Sequence, residues 1–276
     1  MNRTAFYVNY KDTDLCIAVD EQSYRDTLPQ AALDFIRHLR DSLDRYIATD
    51  KTYATTLTPY KASPQPLATL DSFVASRHTQ CPPPQGREQK VSPCGGDLEE
   101  ASPCGWELSS ILRHMSEAGT QAGTGPMAAI AGAFNKALAD HLKTTFHLQE
   151  IIIENGGDIY ADLHDDFNIA VYANQSPLSR KVGIQIPAAD FPLGICTSSG
   201  TCGHSFSFGK ADAVMIVCRD VLLADAYATA IANRIQTVDD IQTVADTITD
   251  SDILSAILIK DDRLAIIGRY PLKIFK

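Results

Sequence analysis

Three glycine-containing segments carry the residue types best suited to hold a charged ligand: Gly125-Pro126-Met127-Ala128-Ala129-Ile130-Ala131-Gly132, Glu154-Asn155-Gly156-Gly157-Asp158, and Gly194-Ile195-Cys196-Thr197-Ser198-Ser199-Gly200-Thr201-Cys202-Gly203-His204. Glycine lets a backbone take positive φ and come close to a ligand, and successive exposed N–H groups in such turns attract oxyanions. A phosphate or carboxylate suits them. Any one of the three also reads as a tight turn between strands, but their joint occurrence favours a ligand. None is a dinucleotide fingerprint or a Walker A loop. Further along, Asp225 and Thr229 stand at i and i+4 in an Ala-rich helical pattern, stacking a carboxylate and a hydroxyl on one face. Two hard oxygens could serve Mg²⁺ there. By spacing alone the plainer roles are favoured, with Asp225 complementing the helix dipole and Thr229 bonding back to its own helix.

Cys196 precedes the Thr197-Ser198-Ser199-Gly200 turn, where backbone donors could stabilise a thiolate and His204 could act as its base. A buried cysteine at a strand end is the commoner outcome, since the thiol behaves as a small hydrophobe. Cys81, Cys94 and Cys104 have spacings that match no tight zinc or iron–sulfur motif. Seven cysteines, an odd number without the spacing of a small secreted domain, argue against a disulfide framework.

The elements that must position these residues are short strands and a few long helices. Residues 4 to 19 predict a hairpin, and after Pro29 the apolar positions Ala32, Phe35, Ile36, Leu39, Leu43 and Ile47 predict an amphipathic helix. Residues 58 to 105 are crowded with Pro, Gly, Ser and polar side chains and predict an irregular insertion, centred on about 76–106. A helical pattern begins near Trp106, and a small-residue helix runs from Met127 towards Leu142. Strands are expected at 148–153, 168–173, 181–186 and 213–218, a helix from Val221 to about Ile235, and closing strands around 264–267 and 272–274. Strand-rich stretches separated by long helices predict an α+β fold.

With 45% apolar and 21% charged side chains, the chain can enclose a sizeable core. Its net charge of −10, from 34 acidic and 24 basic side chains, repels a phosphate backbone, so nucleic acid is not an expected partner. The start of the sequence lacks an apolar leader and no stretch has the apolar length of a membrane span, which predicts no membrane partner and a cytoplasmic location.

The run Cys196 to Thr201, then His204, then the strand at 213–218, then Leu223-Ala224-Asp225-Ala226-Tyr227-Ala228-Thr229-Ala230 resembles the C-terminal signature of ApbE-like proteins. The segments Ala129-Ile130-Ala131-Gly132-Ala133 and Glu154-Asn155-Gly156-Gly157-Asp158-Ile159 resemble that superfamily's Gly-Ile-Ala-Lys-Gly helix and Asn-x-Gly-Gly-Asp turn. The similarity is greater still to an uncharacterised branch with Gly-Pro-Met-Ala-Ala, Glu-Asn-Gly-Gly-Asp-Ile and Gly-Ile-Cys-Thr-Ser-Ser-Gly-Thr. It covers most of the chain outside 76–106.

The resemblance implies one ApbE-like, T-fold-like domain over residues 1–276, with antiparallel sheets packed against a few long helices. ApbE enzymes bind FAD with Mg²⁺ and move FMN onto a Thr or Ser of a target flavoprotein, or hydrolyse FAD. By that resemblance Asp225 and Thr229 become metal ligands, joined by the Ala131 carbonyl. Glu154, Asn155, Gly156, Gly157, Asp158, Thr197, Ser198, Ser199, Gly200 and Thr201 then lie along FAD, FMN or another small phosphate-bearing molecule. Homo-oligomers formed through sheet edges, and a protein partner, are further implied. The same branch has been linked to assimilating sulfide into homocysteine, which suggests as one alternative a sulfur-assimilation accessory protein working through Cys196 or partner proteins; a catalytically silent binding module is another. Two positions depart from the enzymes: Gly132 replaces the Lys, and Ser205-Phe206-Ser207-Phe208-Gly209-Lys210 follows His204 in place of an Ile-x-Asp-Pro-x-Thr-Gly loop.

Overall fold

The computed structural model describes residues 2–62, 108–201 and 208–276. The expected insertion at 76–106, with Cys81, Cys94 and Cys104, lies outside the described residues, as do Cys202 and His204.

Strands β1 (Arg3–Tyr10) and β2 (Thr13–Asp20) pair as the expected hairpin, with Tyr10 opposite Thr13. They continue into β3 (Ile151–Asn155) and β4 (Asp158–Asp162), while β5 (Phe167–Ala170) and β6 (Val182–Ile186) leave for a second sheet. The large sheet resumes with β7 (Leu193–Ser198), β8 (Ala213–Cys218), β9 (Ile253–Lys260) and β10 (Arg263–Gly268), in the spatial order β1-β2-β3-β4-β7-β8-β9-β10. Every neighbouring pair in it is antiparallel. The final strand, β11 (Leu272–Ile274), joins β6 and β5 in the small sheet.

Strand periodicity divides the interior into two cores. On β8, Val214, Ile216 and Cys218 face the helices, whereas Ala213, Met215 and Val217 face the small sheet. A strand buried on both faces needs an unbroken apolar run, and β8 has one. The result is three layers: helices, large sheet, small sheet.

Helix α1 (Leu28–Thr49) starts with Pro29 in its first turn, where a missing N–H costs nothing, and buries Ala32, Ile36, Leu39, Leu43 and Tyr46 along one stripe. A short α2 (Lys51–Thr55) follows, capped by Asp50, whose carboxylate accepts from the Tyr53 N–H at 3.1 Å and the Tyr46 hydroxyl at 2.9 Å. Then come α3 (Leu108–Ala122), a single 3-10 turn at Pro126–Ala129, α4 (Ile130–Phe146), α5 (Val221–Ala232) and the short α6 (Asp240–Ala245). The small-residue helix thus begins as a 3-10 turn and runs beyond Leu142, to end at His147 in the left-handed region (φ 55°).

Helix α5 is apolar nearly all round: only Thr229 and Ala230 of its twelve residues escape burial. Such a helix belongs inside, and it packs against α3, α4, β7 and β8. Two glycines permit this. A Cβ on Gly194 of β7 would sit 2.3 Å from the Val221 Cα, and one on Gly132 of α4 would sit 2.6 Å from the Val221 carbonyl oxygen. The absence of the enzymes' Lys at position 132 therefore has a steric reason here, because any side chain would strike the α5 backbone.

Gly194→Ala should cost about 3 kcal/mol, lowering the melting midpoint by about 6–12 °C. Thermal unfolding followed by circular dichroism checks this; an unchanged midpoint contradicts the packing described.

Candidate functional site

The β3–β4 connection is a two-residue turn, Gly156 at φ 63° and Gly157 at φ 108°, with Asn155 opposite Asp158. Positive φ at both positions matches the right-handed twist of paired strands and favours glycine. The Glu154 carboxylate accepts from the Gly157 N–H at 2.8 Å, and the Gly157 carbonyl accepts from the Thr197 N–H at 3.2 Å. The turn is thereby fastened to β7, which places Thr197, Ser198 and Ser199 beside it.

Asp158 opens β4 opposite Cys196 of β7. Its carbonyl accepts from the side-chain amide of Asn135, a fully buried residue of α4, at 2.8 Å. Asp225 reaches the same place from α5, with its Oδ2 accepting from the Gly132 N–H at 2.9 Å. Burial pushes the Asp225 carboxyl up to about 7, against the Gly132 and Ala131 N–H groups that hold it down. Asp158 is raised well above the usual carboxylate range, by loss of solvent first and by the Asp225 charge second. Two like charges withdrawn from water oppose each other's ionisation.

Asp158, Asp225 and Thr229 line two cavities at once. The first, about 330 Å³, is completed by Glu154, the two turn glycines, Thr197 to Ser199, Met215 and Tyr172. The second, about 570 Å³, runs under the helices between Leu57, Met127, Ile130, Ala131 and Phe208. Neither described lining contains a Lys or Arg. The cleft therefore has two arms meeting at an acidic waist.

Helix α5 is aimed by its cap. Asp220 accepts from the Leu222 N–H through Oδ1 (2.9 Å) and meets His114 Nε2 through Oδ2 (2.6 Å). The hydrogen bond to Asp220, opposed by partial burial, raises the His114 imidazole above its ordinary range.

Of the residues expected along a ligand, Glu154, Gly156, Gly157, Asp158, Thr197, Ser198 and Ser199 come together in the first arm, and Asp225 and Thr229 at the waist. Ala131 lines the second arm, and its N–H points to Asp225. Asn155, Gly200 and Thr201 line neither cavity. Gly200 lies where a Cβ would be 2.0 Å from the Gly209 carbonyl oxygen, and the Thr201 hydroxyl donates to Asp212 at 3.1 Å, so both brace the turn.

The expected nucleophilic role of Cys196 meets a physical obstacle. Its side chain is 0% exposed, its thiol donates to the Val221 carbonyl (3.6 Å), and burial with the Asp158 and Asp225 charges pushes the thiol well up, away from thiolate. His204 lies outside the described residues. Among the described residues, no three His, Cys, Asp or Glu side chains group as a metal cluster. A cation here would draw on two carboxylates, the Thr229 hydroxyl and ligand or water oxygens. Sequence reading missed Leu57, Tyr172 and Phe208, whose only signal is that they are large apolar side chains left exposed.

The fold is shared with solved flavin transferases. The apo flavinyl transferase ApbE of Pseudomonas stutzeri superposes with a TM-score of 0.50 at 13% identity, covering 96% of this chain and 94% of that one. The ApbE protein of Thermotoga maritima gives 0.51 at 12% identity, with 97% of each chain covered. At such identities the likeness is one of fold. The family model described as AbpE bacteria matches residues 98–262, and a UPF0280 protein of Methanocella arvoryzae is 30% identical over 272 residues, spanning 98% of this chain and 91% of the relative. The chain belongs to this ApbE-like family, in company with the UPF0280 proteins. No described helix is long and apolar enough to cross a membrane.

An ionised Asp225 burdens the fold when nothing neutralises it. A carboxyl whose folded-state pKa is raised loses relative stability as pH climbs from the unfolded value through the folded one. In chelator, Asp225→Asn should gain on the order of 2–4 kcal/mol over the unaltered chain at pH 8 and almost nothing at pH 4. Denaturant unfolding at both pH values measures the difference, and an equal effect at both contradicts the burial argument.

Proposed function

We propose that the two-armed cleft binds a flavin nucleotide, or a phosphate-bearing ligand of that kind, together with Mg²⁺. The observation that carries this reading is the waist itself: a buried Asp225 and a partly buried Asp158, without a basic partner in the described lining, shared by the two cavities. A divalent cation removes the repulsion, and its remaining coordination positions suit phosphate oxygens. Asp225, Asp158 and the Thr229 hydroxyl would hold the ion. When bound, Mg²⁺ would neutralise phosphate charge in a site that otherwise repels it.

The chain's own residues account for the rest of the reading. The glycine turn at 156–157 keeps the floor of the first arm free of side chains, and Thr197, Ser198 and Ser199 offer hydroxyls beside it. Leu57, Met127, Ile130 and Phe208 give the second arm an apolar lining suited to a flat ring. That the solved proteins sharing this fold are flavin transferases supports a flavin as the ligand. A buried, neutral Cys196 gives the sulfur-handling alternative no comparable support.

FAD with Mg²⁺, at about a hundred times its dissociation constant, should stabilise the protein by about 2.7 kcal/mol and raise the melting midpoint by about 5–10 °C. Asp225→Ala should abolish the rise. Protons compete with the cation for the carboxylates, so the Mg²⁺-dependent part should shrink as pH falls from 8 to 6. A thermal-shift series with FAD, with and without Mg²⁺, tests this, and no shift at any pH would sink the reading.

A further inference from the structure

The rim of the first arm carries a feature that the acidic waist does not explain. Tyr172 lines the cavity yet is 49% exposed, with the Arg180 guanidinium 5.0 Å from its ring centroid. Arg180 has no carboxylate partner among the described residues. In a chain of net charge −10, this guanidinium lies on an exposed ring rather than on a carboxylate.

The loop that presents this pair, residues 171 to 181, is braced rather than slack. The Arg180 N–H donates to the Val171 carbonyl (2.7 Å) with Arg180 at φ 60°, and the Ala173 N–H donates to the Ser179 hydroxyl (2.9 Å). The Asn174 side chain, from a backbone at φ 45°, donates to the Thr201 carbonyl (2.9 Å), and the Ser176 hydroxyl donates to the Asp261 carbonyl (2.6 Å). Two residues other than glycine in the left-handed region, both within one loop, show that surrounding bonds dictate its shape. Exposed aromatic rings held rigid lose little entropy when something stacks on them.

We propose that Tyr172, positioned by Arg180, is the element that recognises the flat heteroaromatic ring of the ligand in the first arm. The proposal rests on the flavin-nucleotide reading and adds to it the residue that selects a ring-bearing ligand over bare phosphate. Ile169 and Met215 give that arm apolar walls beside Tyr172, and its volume of about 330 Å³ accommodates one ring system. The guanidinium on Tyr172 also places a positive charge near a ligand that carries phosphates. Adenine and isoalloxazine share the flat-ring chemistry, and separate mononucleotides tell them apart.

The test is calorimetric titration of the full-length protein with FAD, AMP, FMN and inorganic pyrophosphate, each with Mg²⁺. Stacking of this kind makes Tyr172→Ala weaken FAD about tenfold, while Tyr172→Phe stays within about twofold and pyrophosphate is unaffected by either. Arg180→Gln should weaken FAD about two- to fivefold. The mononucleotide whose affinity falls with Tyr172→Ala, AMP or FMN, names the ring in the first arm. FAD binding that is unchanged in Tyr172→Ala overturns this inference and leaves the flavin reading standing. Absence of FAD, AMP and FMN binding to the unaltered protein overturns both. Tyr172 is too exposed for its replacement to unfold the chain, and an unchanged melting midpoint in the variants verifies that.

Discussion

The backbone of Val221 is the point on which the arrangement turns. Gly132 of α4 and Gly194 of β7 both approach it more closely than any residue with a Cβ could, and the Cys196 thiol bonds to its carbonyl. Two elements, α4 and β7, therefore converge on the first turn of α5 with little freedom to shift. Asp220 and His114 fix the same turn from outside. One turn further along the helix, Asp225 is carried to within a hydrogen bond of the Gly132 N–H, so the contact that packs the helices also places the acid. Packing and site are one construction here, since Gly132 is required for both.

That construction sets an electrostatic debt at the waist of the cleft. Asp158 arrives from the start of β4, held through its carbonyl by Asn135, and Asp225 arrives from α5. Each would titrate low in water; burial raises both, and the Asp225 charge adds to the rise of Asp158. Folded proteins keep such pairs where charge is to be bound or moved. The two arms share the pair in their linings, one bordered by hydroxyls and Tyr172, the other more apolar, which is the basis of the proposed ligand with a charged middle and flat ends.

Much of the architecture was legible because its signals are local. The first hairpin, the stripe of α1 and the apolar run of β8 all follow from periodicity within a few residues, and the glycine segments announced turns that do border the cleft. What escaped depended on partners far along the chain. Strand β9 carries Ser255 and Ala256 in its middle, blunting its pattern, although pairing between β8 and β10 buries it. Strand β7 read as a glycine-rich turn because Gly194, needed for α5, dilutes it. A reactive role for Cys196 was open beside a Ser-Gly turn, and strand parity settles on the commoner outcome, sending it with Gly194 to the helix face and into the core. Gly200 and Thr201 look like ligand residues from composition, but Gly209 and Asp212, brought close only by folding, employ them structurally. Tyr172 and Phe208 had no pattern to mark them, since exposure is a property of the folded surface.

The central claim is that burial raises the Asp225 carboxyl to about 7, so that it changes charge near neutrality rather than in the ordinary carboxylate range. Carbon-13 NMR of the aspartate side-chain carboxyls, followed from pH 3 to 9 in chelator, observes this without reference to any ligand. One resonance should titrate around pH 7, be missing in Asp225→Asn, and move to lower pH when Mg²⁺ is added. If all aspartates instead complete their titration by about pH 5, the ordinary carboxyl range, the waist is an ordinary hydrated acidic surface and the account fails.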